Sequence, residues 1–386
     1  MNQSKEHYDI IIIGGGFTGC ALAYHFSKSK LKTLLIEQNN ICSGTSAACA
    51  GRVQIIESET EDYLKIVHEG FMKIPSLSDE LAIDFEWELP GHLTLINSED
   101  TYQFMQEKVN LLNSHGLTAE MVDLKSLQKL EPHLNLDNIL AAAYSIEGHI
   151  NPFRFCFGFL NAARKNKAKI ETNQRVIKFS KHNQKITAVH TIDKVFSGNT
   201  IILASGAWTN QLTSLLRVEI PIFFTKAEAL VSEPLPKIIS HHIGTSGFYE
   251  SVHGNDRTVT FGIGQHRNGC LLISNAISPG KKINRFSSEW GLPAITDLFQ
   301  KYFPSIPSLK ILRTWSAPSP FAKDYLPVIG WVPGFNNLYI AAAFHLAIPT
   351  IPLFSEKIKD HILYPNDQSV QTFLSPFSPI RFFNQP

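Results

Sequence analysis

No run in this 386-residue chain is continuously apolar for long enough to cross a membrane. The start, MNQSKEHYDIIII, offers four isoleucines before glycine, too few for a signal-peptide core or a span, so export is not expected and a cytoplasmic protein is. The longest apolar stretch, residues 338–354, is broken by His345, Pro349 and Pro352, and reads as a buried strand and turn. Charge of one sign is lacking too: 35 basic against 34 acidic residues leave no electrostatic footprint for nucleic acid. The five cysteines are odd in number and show no C-x-x-C spacing, which argues against a disulfide framework or a zinc site and for reduced thiols. No repeat or low-complexity tract is present. What remains is an ordinary globular composition, long enough for two joined domains, whose partner is a small molecule or another protein.

Against these absences stands YDIIIIGGGFTGCALAYHF, residues 8–26, followed by KTLLIE at 32–37. A short apolar run, a glycine turn, a helix and a second strand make one βαβ unit, and continuous rather than alternating apolarity suits strands covered on both faces. Gly14, Gly16 and Gly19 supply G-x-G-x-x-G between strand and helix: a tight turn, a close backbone approach to a pyrophosphate, and close helix–strand packing. The phosphates would sit on the amides of the helix N-terminus. Glu37, 23 residues after Gly14, ends the second strand where a carboxylate can accept from an adenosine ribose, which disfavours NADP but leaves NAD and FAD open.

From about residue 84 the texture changes, with strand-like HLTLI at 92–96 and a helix over TYQFMQEKVNLLNSHG. A helix returns at PFRFCFGFLNAARKN, then short strands near 169–171 and 175–179, and TIILASGAW at 200–208. Alternating segments such as EALVSE and CLLIS read as an antiparallel sheet. The expectation is an α/β fold, α+β overall. A Rossmann-type nucleotide domain built from 1–83, 148–215 and 311–386 is interleaved with an antiparallel-sheet substrate domain from 84–147 and 216–310.

Four further stretches make the chain resemble the D-amino-acid-oxidase-like family of FAD-dependent oxidoreductases: SGTSAACAG at 43–51, EGHINPFRF at 147–155, IILASGAWTN at 201–210 and DYLPVIG at 324–330. Within the family, GTSAAC and HINPFRF are most similar to the β-subunits of heteromeric amine dehydrogenases and to the hydrogen-cyanide-synthase subunit. The resemblance implies FAD held by Gly14, Gly16, Phe17, Thr18, Gly19, Glu37, Gln38, Gly44, Thr45, Ser46, Val176, Ala204, Gly206, Trp208, Gly330 and His345. It implies oxidation of an amine or amino acid to an imine, by hydride transfer from the carbon bearing nitrogen to flavin N5, in an apolar cleft. A partner subunit or a separate electron acceptor is part of the same implication.

Two departures stand against it. Where the glycine-oxidase branch carries an arginine that clamps the substrate carboxylate, this chain has Ser319 in TWSAPSP; Arg313 or Arg52 would have to substitute, and with His345 these are the candidate catalytic residues. Where the family has G-H-x-x-x-G beside the flavin pyrimidine edge, this chain reads AAAFHLAIPT, with Phe344 and Pro349 at the glycine positions. Proline has no amide to donate and cannot adopt a glycine-only conformation. A subunit that keeps the ADP half of the site without turnover is therefore a rival reading; an NAD-dependent dehydrogenase is a second, opposed by ASGAW and DYLPVIG.

Other features have plainer readings. His241 and His242 are neighbours, so on a strand they face opposite ways, and with His253 and His266 they are not expected to share a metal. Cys49 reads as a small apolar residue, and Ala48 stands where the dimethylglycine branch attaches flavin, so covalent linkage is not expected. Residues 163–185, with eight Lys/Arg against one Glu, read as a solvated helix end and hairpin. The tail FLSPFSPIRFFNQP is expected to pack on its own domain or on a partner subunit.

Overall fold

Four consecutive isoleucines cannot all face one way in a strand, and the computed structural model, which describes residues 6–58, 60–246, 256–280, 283–306 and 308–383, shows what each side meets. In strand β1 (His7–Ile13), Ile10 and Ile12 enter one hydrophobic core while Ile11 and Ile13 enter a second. β1 lies centrally in a sheet ordered Val328–Trp331, Leu338–Ala342, Val195–Leu203, β1, β2 (Thr33–Ile36), Lys169–Glu171. Every neighbouring pair is parallel except the first two strands. The hairpin Val176–His182/Lys185–Thr191 hangs from Val195–Leu203, so the basic stretch 163–185 does form a helix end and one arm of a hairpin.

Helix α1 (Phe17–Lys28) covers one face of this sheet with helices Pro152–Lys165 and Ala347–Leu363. Pro152–Lys165 starts where Asn151 Oδ1 accepts from the amides of Phe153 and Arg154, and proline at the first helical position sacrifices only an amide with no intrahelical partner.

The second sheet runs Ile311–Ala322, Ile222–Pro234, Cys270–Pro279, Thr258–Gln265, His242–Thr245, His92–Ile96, Ala141–Ser145, Ala119–Val122. It is antiparallel apart from the pair His242–Thr245/His92–Ile96. Strand Ile311–Ala322 pairs along Ile222–Pro234, so this sheet includes 12 residues that the sequence reading assigns to the nucleotide domain.

The apolar stretch 338–354 needs correction. Its first part is the strand Leu338–Ala342, but the rest opens a 17-residue helix, Ala347–Leu363, despite both prolines. Pro349 is its third residue, where the amide has no intrahelical partner anyway. Pro352 does remove an interior bond, the one its amide would otherwise make to the Ile348 carbonyl. The tail folds back on its own chain, with Phe377 in the core and Arg381 forked onto Asp324 (2.6 and 3.0 Å).

Candidate functional site

The cavity at the carboxyl ends of β1, β2 and Val195–Leu203 holds about 560 Å³. Its position at the end of a parallel sheet is where α/β folds bind ligands. Gly14, Gly16, Phe17 and Thr18 form one wall; Glu37 and Gln38 a second; Gly44, Thr45 and Ser46 a third; Val176, Ala204, Gly206 and Trp208 complete it.

The glycines are required by contact. Gly14 has φ +116° and a Cβ there would come within 2.3 Å of Ala204 O; on Gly19 it would come within 1.8 Å of the Gly14 carbonyl. A Cβ on Gly16 would meet Ser46 Oγ at 2.9 Å, and that hydroxyl already accepts from the Phe17 amide (3.1 Å). The loop 43–46 is thereby pinned to the start of α1. Gly19 does not line the cavity; it sets the packing behind it. Glu37 Oε2 accepts from Gly15 N (2.7 Å) and Oε1 from Asn39 N (2.8 Å), so the carboxylate holds the turn as well as facing the cavity. A glycine cradle, a helix N-terminus with a first turn free of acidic residues and a strand-end carboxylate fit the diphosphate and ribose of FAD.

The other end of the cavity is lined by Cys49, Pro320, residues 341–344, Ala347 and Ile351. Phe344 is a wall residue resting on Phe354 (ring centroids 5.7 Å). Pro349 is not part of this wall: its carbonyl faces Gly70, where a Cβ would come within 1.9 Å, so the proline serves helix packing. Two non-glycine residues of this segment take left-handed backbone, Ala343 at φ +56° and Leu346 at φ +52°. Burial pushes the Cys49 thiol up to about 11, in keeping with a reduced, inert thiol.

The remaining sequence candidates are scattered. Gly330, φ +152°, faces Pro379 and not the cavity. Arg313 is exposed near the outer end of its strand, opposite Val231, and does not reach the cavity; Ser319, half-buried, pairs with Thr225. His345 lies just outside the lining, its carbonyl accepting from Tyr63 Oη (2.7 Å) and its ring 5.7 Å from Phe321.

Arg52 is committed to a buried network: its Nη2 donates to Glu147 Oε2 (2.9 Å) and lies 3.0 Å from His92 Nδ1, while Glu147 Oε1 accepts from Ile55 N (3.1 Å). Beside it is a residue that sequence reasoning passed over, Glu57. The residue keeps some surface, but its Oε2 is closed to solvent and has no hydrogen-bond partner. Burial pushes this carboxyl up to about 7, against the opposing pull of Arg52, with Glu147 raising and His345 lowering it.

His242 and His266 do come together, but with His149: ring centroids are 4.1 Å apart for His149–His266 and 5.5 Å for His149–His242. His241 turns instead to Glu131 Oε1 (2.7 Å). Burial holds His149 down to about 3, His266 to about 4 and His242 well below the usual range, so all three are neutral. No group of metal-ligating side chains is arranged for an ion among the described residues, and His253 lies outside them. No helix among the described residues is long and apolar enough to cross a membrane.

Residues 9–359 match the protein-family model described as "FAD dependent oxidoreductase". Mitochondrial dimethylglycine dehydrogenase of Rattus norvegicus is 22% identical over 93% of this chain, which spans only 43% of that longer protein. Hydrogen cyanide synthase subunit HcnC of Pseudomonas protegens is 23% identical, with 99% of this chain and 98% of the relative covered. Among solved structures, L-proline dehydrogenase from P. horikoshii superposes with a TM-score of 0.85 at 22% identity, covering 98% of both chains.

Proposed function

Because this chain belongs to the FAD dependent oxidoreductase family whose model its residues 9–359 match, we propose that it oxidises a secondary amine, imino acid or amino acid at the carbon bearing nitrogen. The observation behind the choice of substrate is the buried Glu57 carboxyl oxygen without a partner, set near Arg52, Glu147 and His345, the last of which follows the cavity-lining Phe344 in the chain. Arg52 is already neutralised by Glu147, so the group left to meet a substrate is the Glu57 carboxyl, which matches an amine. The names of the dimethylglycine and proline enzymes among its relatives point to the same substrate class.

Bound FAD supplies the acceptor for a hydride. The chain's own work is to bind, orient and exclude water: the glycine loop and Glu37 hold the adenosine diphosphate, while Phe344, Ala347 and Ile351 keep the far wall apolar. An ammonium nitrogen has no lone pair to push hydride from its neighbouring carbon, so its proton must leave first. Glu57 Oε2, the buried carboxyl oxygen without a partner, would accept it; loss of hydride from the carbon then leaves an iminium ion that water hydrolyses.

Purified protein mixed anaerobically with sarcosine, dimethylglycine, proline or glycine is expected to lose its flavin absorbance with one of them. Bound flavin that none of a broad amine panel reduces would instead favour the second reading, a subunit that keeps the cofactor without turnover. Phe344 in the wall and Ser319 in place of the clamp support that reading, as does the subunit among the relatives.

Glu57 must be ionised to act, so kcat/KM is expected to rise through pH 7. Glu57→Gln should remove that limb and slow reduction at pH 8 by about 10²-fold with flavin still bound. The linkage runs the other way for stability. A carboxyl whose folded pKa is raised binds its proton more tightly when folded, so stability falls as pH climbs from the ordinary carboxyl range to about 7. Glu57→Gln should therefore melt higher than wild type above pH 7, and an unchanged pH profile would remove Glu57 from the chemistry.

A further inference from the structure

The cavity wall carries three charged side chains among the described residues: Glu37, Arg175 and Arg285. Arg175 stands between Gln174, whose amide donates to the Glu37 carbonyl (2.9 Å), and Val176, which places it on the adenosine side. Arg285 comes from the opposite direction. It belongs to the segment before helix Gly291–Tyr302, on the second sheet's side of the molecule, and its Nη1 donates to the Ser43 carbonyl, next to the loop 44–46 that abuts the glycine turn.

Its backbone is fixed for this reach. Arg285 O accepts from Ser316 N (3.2 Å), and Ser316 Oγ donates to Phe286 O (3.1 Å), so the segment is stitched to strand Ile311–Ala322. The same strand meets the loop twice more: Thr45 Oγ1 donates to Pro318 O (2.5 Å) and Trp315 Nε1 to Ala48 O (3.1 Å). The backbone of Arg285 is thus held beside the loop, and its exposed side chain reaches the Ser43 carbonyl from there.

A diphosphate brings two negative charges, and the helix terminus offers the equivalent of about half a positive one. The first turn of α1, Phe17 to Cys20, contains no cation, and Glu37 adds a further negative charge to the wall. We infer that Arg285 is a cofactor-holding residue: its guanidinium is the counter-charge for the FAD diphosphate, delivered by the second sheet, and it latches that sheet onto the cofactor loop. The inference rests on FAD filling the cavity and is independent of which amine is oxidised.

The test is equilibrium titration of flavin-free protein, following flavin fluorescence for FAD and riboflavin and heat for ADP, in low and high salt. Arg285→Gln is expected to weaken FAD and ADP about tenfold while leaving riboflavin unchanged, and to flatten the salt dependence of FAD affinity. Arg285→Lys should recover most of the loss, because it restores the charge without the fork. FAD and ADP affinities within twofold of wild type would overturn the assignment, as would equal weakening of riboflavin, which would mean a disturbed loop instead of a lost charge. Wild-type protein that takes up no FAD would overturn it together with the cofactor, whereas a flavin-binding wild type beside an indistinguishable variant overturns it alone.

Discussion

Gly14→Ala is expected to purify without colour. The added methyl would stand 2.3 Å from Ala204 O and 2.8 Å from its carbonyl carbon, both backbone atoms of the neighbouring strand's end, which no rotamer change can move aside. The backbone at φ +116° adds strain of its own, because a side chain disfavours that region. Strain and overpacking together amount to about 2–5 kcal/mol, a large share of a typical folding free energy. Any relaxation must push the turn away from Val195–Leu203 and so into the space the diphosphate needs. Gly334→Ala is the control: φ +82° there also disfavours a side chain, but a Cβ would meet nothing within 4 Å. It should cost about 1 kcal/mol and stay yellow. Flavin absorbance and the urea midpoint measure both variants, and a yellow Gly14→Ala protein with the wild-type midpoint would contradict the cradle described above.

Arg52→Met should lower stability by about 3–5 kcal/mol, because it strands Glu147 with its charge buried. Glu147 is fully buried, and among the described residues the side-chain hydrogen bonds left to it after the change would be those from the Ile55 and Ile56 amides (3.1 and 3.4 Å). The double variant Arg52→Met/Glu147→Gln should regain most of the loss, since a neutral amide oxygen can keep the backbone bonds. Urea unfolding of the single and double variants reads the coupling between the two residues. If Arg52→Met were as stable as wild type, the pair would be ornamental and Arg52 free to serve substrate alone.

The glycine cradle was legible because its chemistry is local: Gly14, Gly16 and Gly19 lie within six residues, and Glu37 ends the next strand. What made Arg285 invisible was distance along the chain, since its partner Ser43 lies 242 residues away and no spacing marks either one. Arg52 and Glu147, 95 residues apart, fail for the same reason, and Glu57 is defined by what surrounds it more than by what it is. The helix at 347–363 was hidden by its prolines: Pro349 falls in the first turn, where it breaks nothing, and Pro352 costs one interior bond that the packed helix absorbs. Phe344 and Pro349 looked like equal departures from the family in sequence. In space one lines the cavity and the other packs on Gly70.

Strand β1, with one pair of isoleucines in each of two cores, has a thermodynamic meaning for the loop it carries. A turn suspended from a strand clamped on both sides gives up its conformational freedom when the protein folds, before any ligand arrives. A nucleotide bound at this turn would therefore meet a surface that is already ordered, and contacts with its backbone amides would go into affinity instead of ordering the protein.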